Sequence, residues 1–128
     1  MWVRASRAAL IILLSVRIQR GAFRALLTGH GGHSEIDALV AHEGLDHIDV
    51  VKAPHPGDTT DVTDAWLRRL TPDVVVVSSS DVYASSAAIR RYHGDGRTVV
   101  STRYEGDIVV FVYEDGSYSV QSPVGTLR

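Results

Sequence analysis

The chain has 128 residues, 45% of them hydrophobic and 22% charged, a balance typical of one soluble globular domain and not of a disordered or membrane-embedded chain. Its net charge of -2 gives no strong signal for nucleic-acid binding. Because there is no cysteine, the sequence excludes disulfides and cysteine-based zinc sites, and a metal could bind only through His, Asp or Glu.

The N-terminal segment carries two conflicting signals. Arg4 and Arg7 lead into AALIILLSV, which is similar to the start of a secretory signal, but no cleavage site follows and the run is too short to span a bilayer. From Ser15 apolar and polar residues alternate, and the RGA turn followed by FRALLTG predicts a hairpin. The sequence predicts no transmembrane helix and a cytoplasmic location, with membrane association through the apolar start left open.

The central chain alternates between helix and strand signals. HSEIDALVAHEGL has the period of a helix, with Ser34 as its N-cap and Gly44 as its end. Two further helices are predicted at TDVTDAWLRRL, which ends at Thr71 and Pro72, and at SSAAIRRYHGDG. Strands are predicted at HIDVVKA, DVVVV and RTVVST, and the uniformly apolar DVVVV is typical of a strand covered on both faces.

The C-terminal chain predicts a hairpin, because EDGS joins GDIVVFVYE to SYSVQS. Residues 1–128 are therefore predicted to form a single α/β domain. It would have a mixed β-sheet, about three flanking helices and an antiparallel C-terminal hairpin.

The order of these segments resembles the C-terminal half of metallo-β-lactamase-fold domains, of the competence-protein (ComEC-like) type. The resemblance rests on LSVRIQRGAFRALLTG, DVVKAPHPGD, LTPDVVVVSSS and GRTVVSTRYEGDIVVFV, with helices between them, and covers residues 15–112. It implies a metallo-β-lactamase-like half-domain from a family of metal-dependent hydrolases.

The motifs that bind metal in that family are altered here. In the family a strand ending in T-G-D supplies an aspartate that bridges two metal ions, and a strand ending in H-H-G-S supplies a histidine ligand. The matching segments are TGH, Thr28 to His30, and HPGD, His55 to Asp58. His30 stands in place of the bridging aspartate, and a neutral imidazole binds only one metal through one nitrogen. The H-x-H-x-D-H motif is absent, so the resemblance implies a degenerate active site.

A residual metal site is one interpretation of the remaining histidines. His30, His33 and His55 could supply three nitrogens, an open arrangement known for zinc. Asp58 is the candidate catalytic base or a fourth ligand. The alternative is that HGGH is a polar loop that binds no metal, so the cofactor is none or zinc.

Two functions follow as hypotheses. The first is a diverged, inactive domain that acts as a folded association module, and the second is an ester or phosphodiester hydrolase whose histidine site is completed by oligomerisation or a partner chain. Half of a two-sheet fold would expose an apolar sheet face, which predicts a homodimer or a partner that covers the missing half. His42 and His47, at a helix end, are predicted to be surface residues.

Overall fold

The computed structural model describes residues 1–8, 11–29, 33–54, 65–78 and 92–128. The strands in these ranges are β1 (Trp2–Ala8), β2 (Ile11–Arg20), β3 (Phe23–Leu27), β4 (Val50–Lys52), β5 (Val74–Val77), β6 (Thr98–Ser101), β7 (Val109–Val112), β8 (Tyr118–Ser122) and β9 (Gly125–Thr126). The helices are α1 (His33–Glu43) and α2 (Ala65–Leu70), with a single helical turn at Thr102–Glu105. The predicted α/β class is confirmed.

Strands β1 to β6 form one mixed sheet in chain order. The first three strands pair antiparallel, and β3 to β6 pair parallel. The predicted N-terminal hairpin is confirmed, with Gly21 and Ala22 at its turn. However, β2 begins at Ile11 and not at Ser15, and the unpredicted β1 pairs along it. In a continuous apolar run, apolar and polar residues do not alternate, so the sequence does not distinguish strand from helix there. The pairing with β1 shows that residues 11–14 belong to a strand.

Helix α1 lies where the sequence predicted it. Gly44 ends the helix with a left-handed φ of +60°, and the Leu45 amide donates to the Val40 carbonyl at 3.1 Å. The N-cap prediction is wrong, because the helix begins at His33 and Ser34 lies inside it, donating from Oγ to Glu35 Oε2 at 3.0 Å.

The second predicted helix is described from Ala65 onward as α2. It ends at Thr71 and Pro72 as predicted, with the Thr71 amide donating to the Leu67 carbonyl at 2.9 Å. Most of the third predicted helix lies outside the described residues, and its closing glycines form a 3-10 turn at Gly94–Gly96.

One face of the large sheet packs against α1 and α2. Because strand side chains alternate, Leu26, Val51 and Val75 share this face and lie in register across three parallel strands. They form a buried core with residues of both helices, among them Ile36, Val40, Trp66 and Leu70. Burial of this apolar area is the main stabilising contribution on this side of the sheet.

The opposite face is covered by β7, β8 and β9, which form a separate antiparallel sheet. The predicted C-terminal hairpin is therefore confirmed. A second core joins Phe23, Ala25, Val50, Val74 and Val100 of the large sheet to Val120 of the small one. The prediction that this face is uncovered is wrong for β3 to β6, because the C-terminal strands fold back over it. The DVVVV strand is covered on both faces, as predicted.

Coverage of that second face is incomplete at the N-terminal strands. Val3 pairs with Val16, which pairs with Leu27, so these side chains share a face with Leu14 and Ile18. Four of these side chains, which we call the hairpin stripe, are between 37% and 57% exposed: Val3, Leu14, Ile18 and Leu27. Among the residues that the structure describes, no helix combines the length and apolar character needed to cross a bilayer.

Candidate functional site

The site predicted from the resemblance falls where the structure gives no detail. His30, His55 and Asp58 lie outside the described residues, and of His33 only the backbone, at the start of α1, is described. The segments that lead to His30 and His55 follow β3 and β4, which are parallel neighbours and run to the same edge of the sheet.

The ends of β3 and β4 are fastened together by side chains. The hydroxyl of Thr28 donates to the Lys52 carbonyl at 2.7 Å, and Lys52 Nζ donates to the Thr28 carbonyl at 3.2 Å. Burial lowers the pKa of the Lys52 amine. These contacts fix the spacing of the two strands just before the predicted site residues.

The described polar network lies at the opposite edge, where β4, β5 and β6 begin, and we call this the start edge. Asp49 and Asp73 immediately precede β4 and β5, and the register Val50 to Val74 sets them side by side. The amides of Asp73 and Val74 both donate to the Asp49 carbonyl at 3.0 Å. Backbone pairing thus places the two aspartates next to each other on neighbouring strands.

An imidazole links Asp49 to a hydroxyl. His47 Nε2 lies 3.3 Å from Asp49 Oδ1, and His47 Nδ1 lies 3.1 Å from Thr71 Oγ1. The second oxygen of Asp49 accepts the Arg24 amide at 2.7 Å. The prediction that His42 and His47 are surface residues is confirmed, since their side chains are 70% and 48% exposed, but the polar contacts of His47 were not predicted.

Asp73 belongs to a second set of contacts. Its Oδ2 accepts the Tyr118 hydroxyl at 3.3 Å and lies 3.7 Å from Arg128 Nη2. Burial and the nearby Asp73 carboxylate raise the pKa of Tyr118 to about 12, because both disfavour the phenolate. The Tyr118 ring also packs against Phe23, with centroids 5.2 Å apart, so the small sheet is joined to the start edge by polar and apolar contacts.

One group within the described part of the chain has the spacing to hold a metal ion. Ligand atoms of His47, Asp49 and Asp73 all lie within 4.8 Å of one another. One nitrogen and two carboxylate oxygens suit zinc or manganese. His47 already contacts Thr71, and Asp73 contacts Tyr118 and Arg128, so these side chains have partners without an ion.

Two cavities flank this network. The first, of about 420 Å³, is lined by Thr71, Asp73 and three arginines. The second, of about 200 Å³, is lined by His47, Arg17 and Arg24, together with residues that follow α1. The Nε of Arg24 is buried and has no hydrogen-bond partner among the described residues.

The start edge was missed by sequence reasoning, although a signal was present. The three-residue motif D-V-V occurs twice, beginning at Asp49 and at Asp73, each time at the start of an apolar strand. If the two strands are parallel neighbours, the repeated acid places two carboxylates side by side. The HID segment adds His47 two residues earlier, on the same side of the chain as Asp49.

Comparisons with known proteins do not assign the chain to a family. No protein-family model matches it. A 64-residue segment is 34% identical to a 4-hydroxy-3-methylbut-2-enyl diphosphate reductase of Leifsonia xyli, and the match covers 47% of this chain. The chain spans 19% of the length of that curated relative, so this likeness does not show a family.

Proposed function

We propose that the chain is a diverged metallo-β-lactamase-like domain that acts as a folded association module and lacks the family's dinuclear hydrolase activity. The observation that carries the proposal is the hairpin stripe, in which Leu14 remains 49% exposed and Val3 57% exposed. Adjacent apolar side chains that the fold leaves in water favour association with another surface.

The order of elements supports the family part of the proposal. A hairpin, a helix, a parallel strand, a second helix and two further parallel strands precede a C-terminal antiparallel pair. This order agrees with the segments on which the resemblance rests, apart from the third predicted helix, most of which lies outside the described residues. The altered TGH and HPGD motifs and the missing H-x-H-x-D-H motif argue against a dinuclear site.

The partner in this proposal is a second copy of the chain. Strand β1 stands at the end of the sheet order, so one side of its backbone has no partner strand among the described residues. Such an edge pairs readily with another strand. In antiparallel self-pairing centred on Ala5, Arg4 would stand opposite Ser6 and Arg7 opposite Val3, so no two arginines meet directly. The hairpin stripe begins on β1 and would continue the contact.

Sedimentation velocity at micromolar concentrations tests the association. We expect a dimer for the wild-type chain and a monomer for Leu14→Glu, because a carboxylate in the interface would be desolvated. Val124→Glu is the matched control, since Val124 is 71% exposed in the turn between β8 and β9, and this variant should remain a dimer. A monomeric wild-type chain, or equal dissociation of both variants, would contradict the proposal.

Metal analysis tests the inactive assignment. Protein purified without chelator is measured by plasma mass spectrometry beside a His30→Ala and His55→Ala double variant. We expect no stoichiometric metal in either protein and unchanged far-ultraviolet circular dichroism. Near-stoichiometric zinc or manganese that is lost in the double variant would overturn the inactive assignment and favour a hydrolase.

A further inference from the structure

A hydroxyl, an imidazole and a carboxylate lie in a row at the start edge. Thr71 Oγ1 lies 3.1 Å from His47 Nδ1, and His47 Nε2 lies 3.3 Å from Asp49 Oδ1. Thr71 follows α2, whereas the other two residues precede β4, and the parallel pairing of β4 with β5 brings them together. A hydroxyl that contacts a base, with the base oriented by a third group, is typical of nucleophilic catalysis.

The chemistry of the three groups fixes the direction of the two hydrogen bonds. An ionised carboxylate only accepts hydrogen bonds, so the ring proton of neutral His47 must lie on Nε2, facing Asp49. In that tautomer Nδ1 only accepts, and the Thr71 hydroxyl must therefore donate to it. The lone pair of Nδ1 thus faces the proton that Thr71 has to lose in order to act as a nucleophile.

The carboxylate end of the row is shielded, whereas the hydroxyl end is open. The Asp49 side chain is 17% exposed, and its Oδ2 accepts the Arg24 amide at 2.7 Å, which orients the carboxylate. Thr71 is exposed and lines the cavity of about 420 Å³, a volume in the range of pockets for small molecules. Water and a small substrate can therefore reach Thr71.

Thr71 also has an unusual backbone conformation. Its φ of +42° lies in the left-handed region, which glycine adopts freely but which is unfavourable for a β-branched residue. Strain of this kind is concentrated at active sites, where the surrounding structure holds a reacting group in place. Here the Thr71 amide donates to the Leu67 carbonyl at 2.9 Å and the hydroxyl contacts His47, so both the backbone and the side chain are held.

We infer that Thr71 is a nucleophile for acyl transfer from small carboxylic esters, with His47 as its general base and Asp49 as a positioning residue. Thr71 Oγ1 attacks the carbonyl carbon of the ester while its proton passes to His47 Nδ1. The bond from that carbon to the leaving oxygen then breaks, the leaving alcohol takes the proton from His47, and the acyl group stays on Thr71. Asp49 accepts from Nε2 throughout and stabilises the imidazolium.

The acyl group is released by water. His47 Nδ1 takes a proton from a water molecule, whose oxygen attacks the acyl carbon. The bond from that carbon to Thr71 Oγ1 breaks, the proton returns from His47 to Oγ1, and the carboxylic acid leaves. This activity is separate from self-association through the hairpin stripe.

Hydrolysis of p-nitrophenyl acetate by the intact chain, in the presence of a chelator, tests the inference. We expect an initial burst of nitrophenolate and, after acid quenching, an acetyl group on Thr71 in peptide mass spectra. Thr71→Val keeps the β-branched shape but removes the hydroxyl, so the burst and the acetylation should be lost. His47→Gln should lower kcat about 100-fold. Asp49→Asn should lower kcat and leave KM unchanged, because Asp49 does not contact the substrate.

His42→Gln is the matched control, because His42 is a 70% exposed imidazole on α1 and its loss should leave kcat unchanged. Equal losses in the two histidine variants would indicate catalysis by any surface imidazole and overturn the inference. So would a wild-type chain without acetyl on Thr71, or a burst that persists in Thr71→Val. Activity that the chelator abolishes would instead assign His47, Asp49 and Asp73 to a metal ion. Circular dichroism of each variant separates lost chemistry from lost folding.

Discussion

The two faces of the large sheet are built differently. The helix-covered face is closed by residues from both helices, and Leu26, Trp66, Leu70 and Val75 are fully buried there. The other face is closed by the C-terminal strands over β3 to β6, but the hairpin stripe on β1 to β3 stays partly exposed. The first face is thus sealed within a single chain, whereas the second leaves apolar side chains of the hairpin stripe in contact with water. Association is therefore expected on the second face.

The largest stability loss is expected on the closed face. Trp66→Ala removes a ring that is fully buried and lies 6.0 Å, centroid to centroid, from Tyr92. The free energy of unfolding should fall by about 3–5 kcal/mol in equilibrium urea denaturation. Val109→Ala, at a position 46% exposed on β7, should change it by less than about 0.5 kcal/mol. Equal losses would contradict the account of the two faces.

The contact between the β7–β8 turn of the small sheet and the β2–β3 turn of the large sheet can be tested by a substitution at Gly116. Gly116, between β7 and β8, has a φ of +87°, and a Cβ there would lie 2.9 Å from the Ala22 amide nitrogen of the β2–β3 turn. Gly116→Ala should cost about 1–3 kcal/mol of unfolding free energy. Gly44→Ala is the control, because its φ of +60° is also in the left-handed region while no atom lies within 4 Å of the added Cβ. A smaller loss at Gly116 than at Gly44 would show that the turns do not pack.

Alkaline pH should weaken the polar link between the small sheet and the start edge. The pKa of Tyr118 is raised to about 12 in the folded chain, so the unfolded chain releases this proton at lower pH. The stabilisation is present below the ordinary tyrosine pKa of about 10 and is lost as pH rises through the folded value. Between these two pH values, the urea concentration at the midpoint of unfolding should fall more steeply with rising pH for the wild-type chain than for Tyr118→Phe. Parallel slopes would contradict the assignment.

The smallest effect is expected at an exposed ion pair. Arg69 Nη2 lies 3.4 Å from Asp46 Oδ1, with both side chains more than half exposed. Asp46→Asn should lower the free energy of unfolding by less than about 1 kcal/mol, and added salt should reduce the difference further. A larger, salt-independent loss would mean that this loop contributes to the closed core.

Local signals predicted much of the fold. The end of α1 at Gly44 and the end of α2 at Thr71 and Pro72 depend on backbone geometry within a few residues, and both predictions are confirmed. The covering of the second face was not predicted, because it depends on contacts between Val120 and distant strands. The same limit applies to the extra strand β1, whose pairing partner alone defines it.

The repeated D-V-V hinted at the described polar site, but the contact between its side chains was not predictable, for a related reason. Thr71 and His47 are 24 residues apart in the chain, and their contact follows from the parallel pairing of β4 with β5. Individual residues such as His47 carried only a surface signal, since strand register is not encoded near them. Motif comparison pointed to the other edge of the sheet, at His30 and His55, which lie outside the described residues.

The central claim is that β1 and the hairpin stripe form a self-association surface. Hydrogen–deuterium exchange of the intact chain, measured at concentrations below and above the dimerisation range, tests it most directly. We expect slower amide exchange for residues 2–8 at the higher concentration and unchanged exchange in β7 and β8. Identical exchange of residues 2–8 at both concentrations, with sedimentation as a dimer at the higher one, would place the interface elsewhere and contradict the claim.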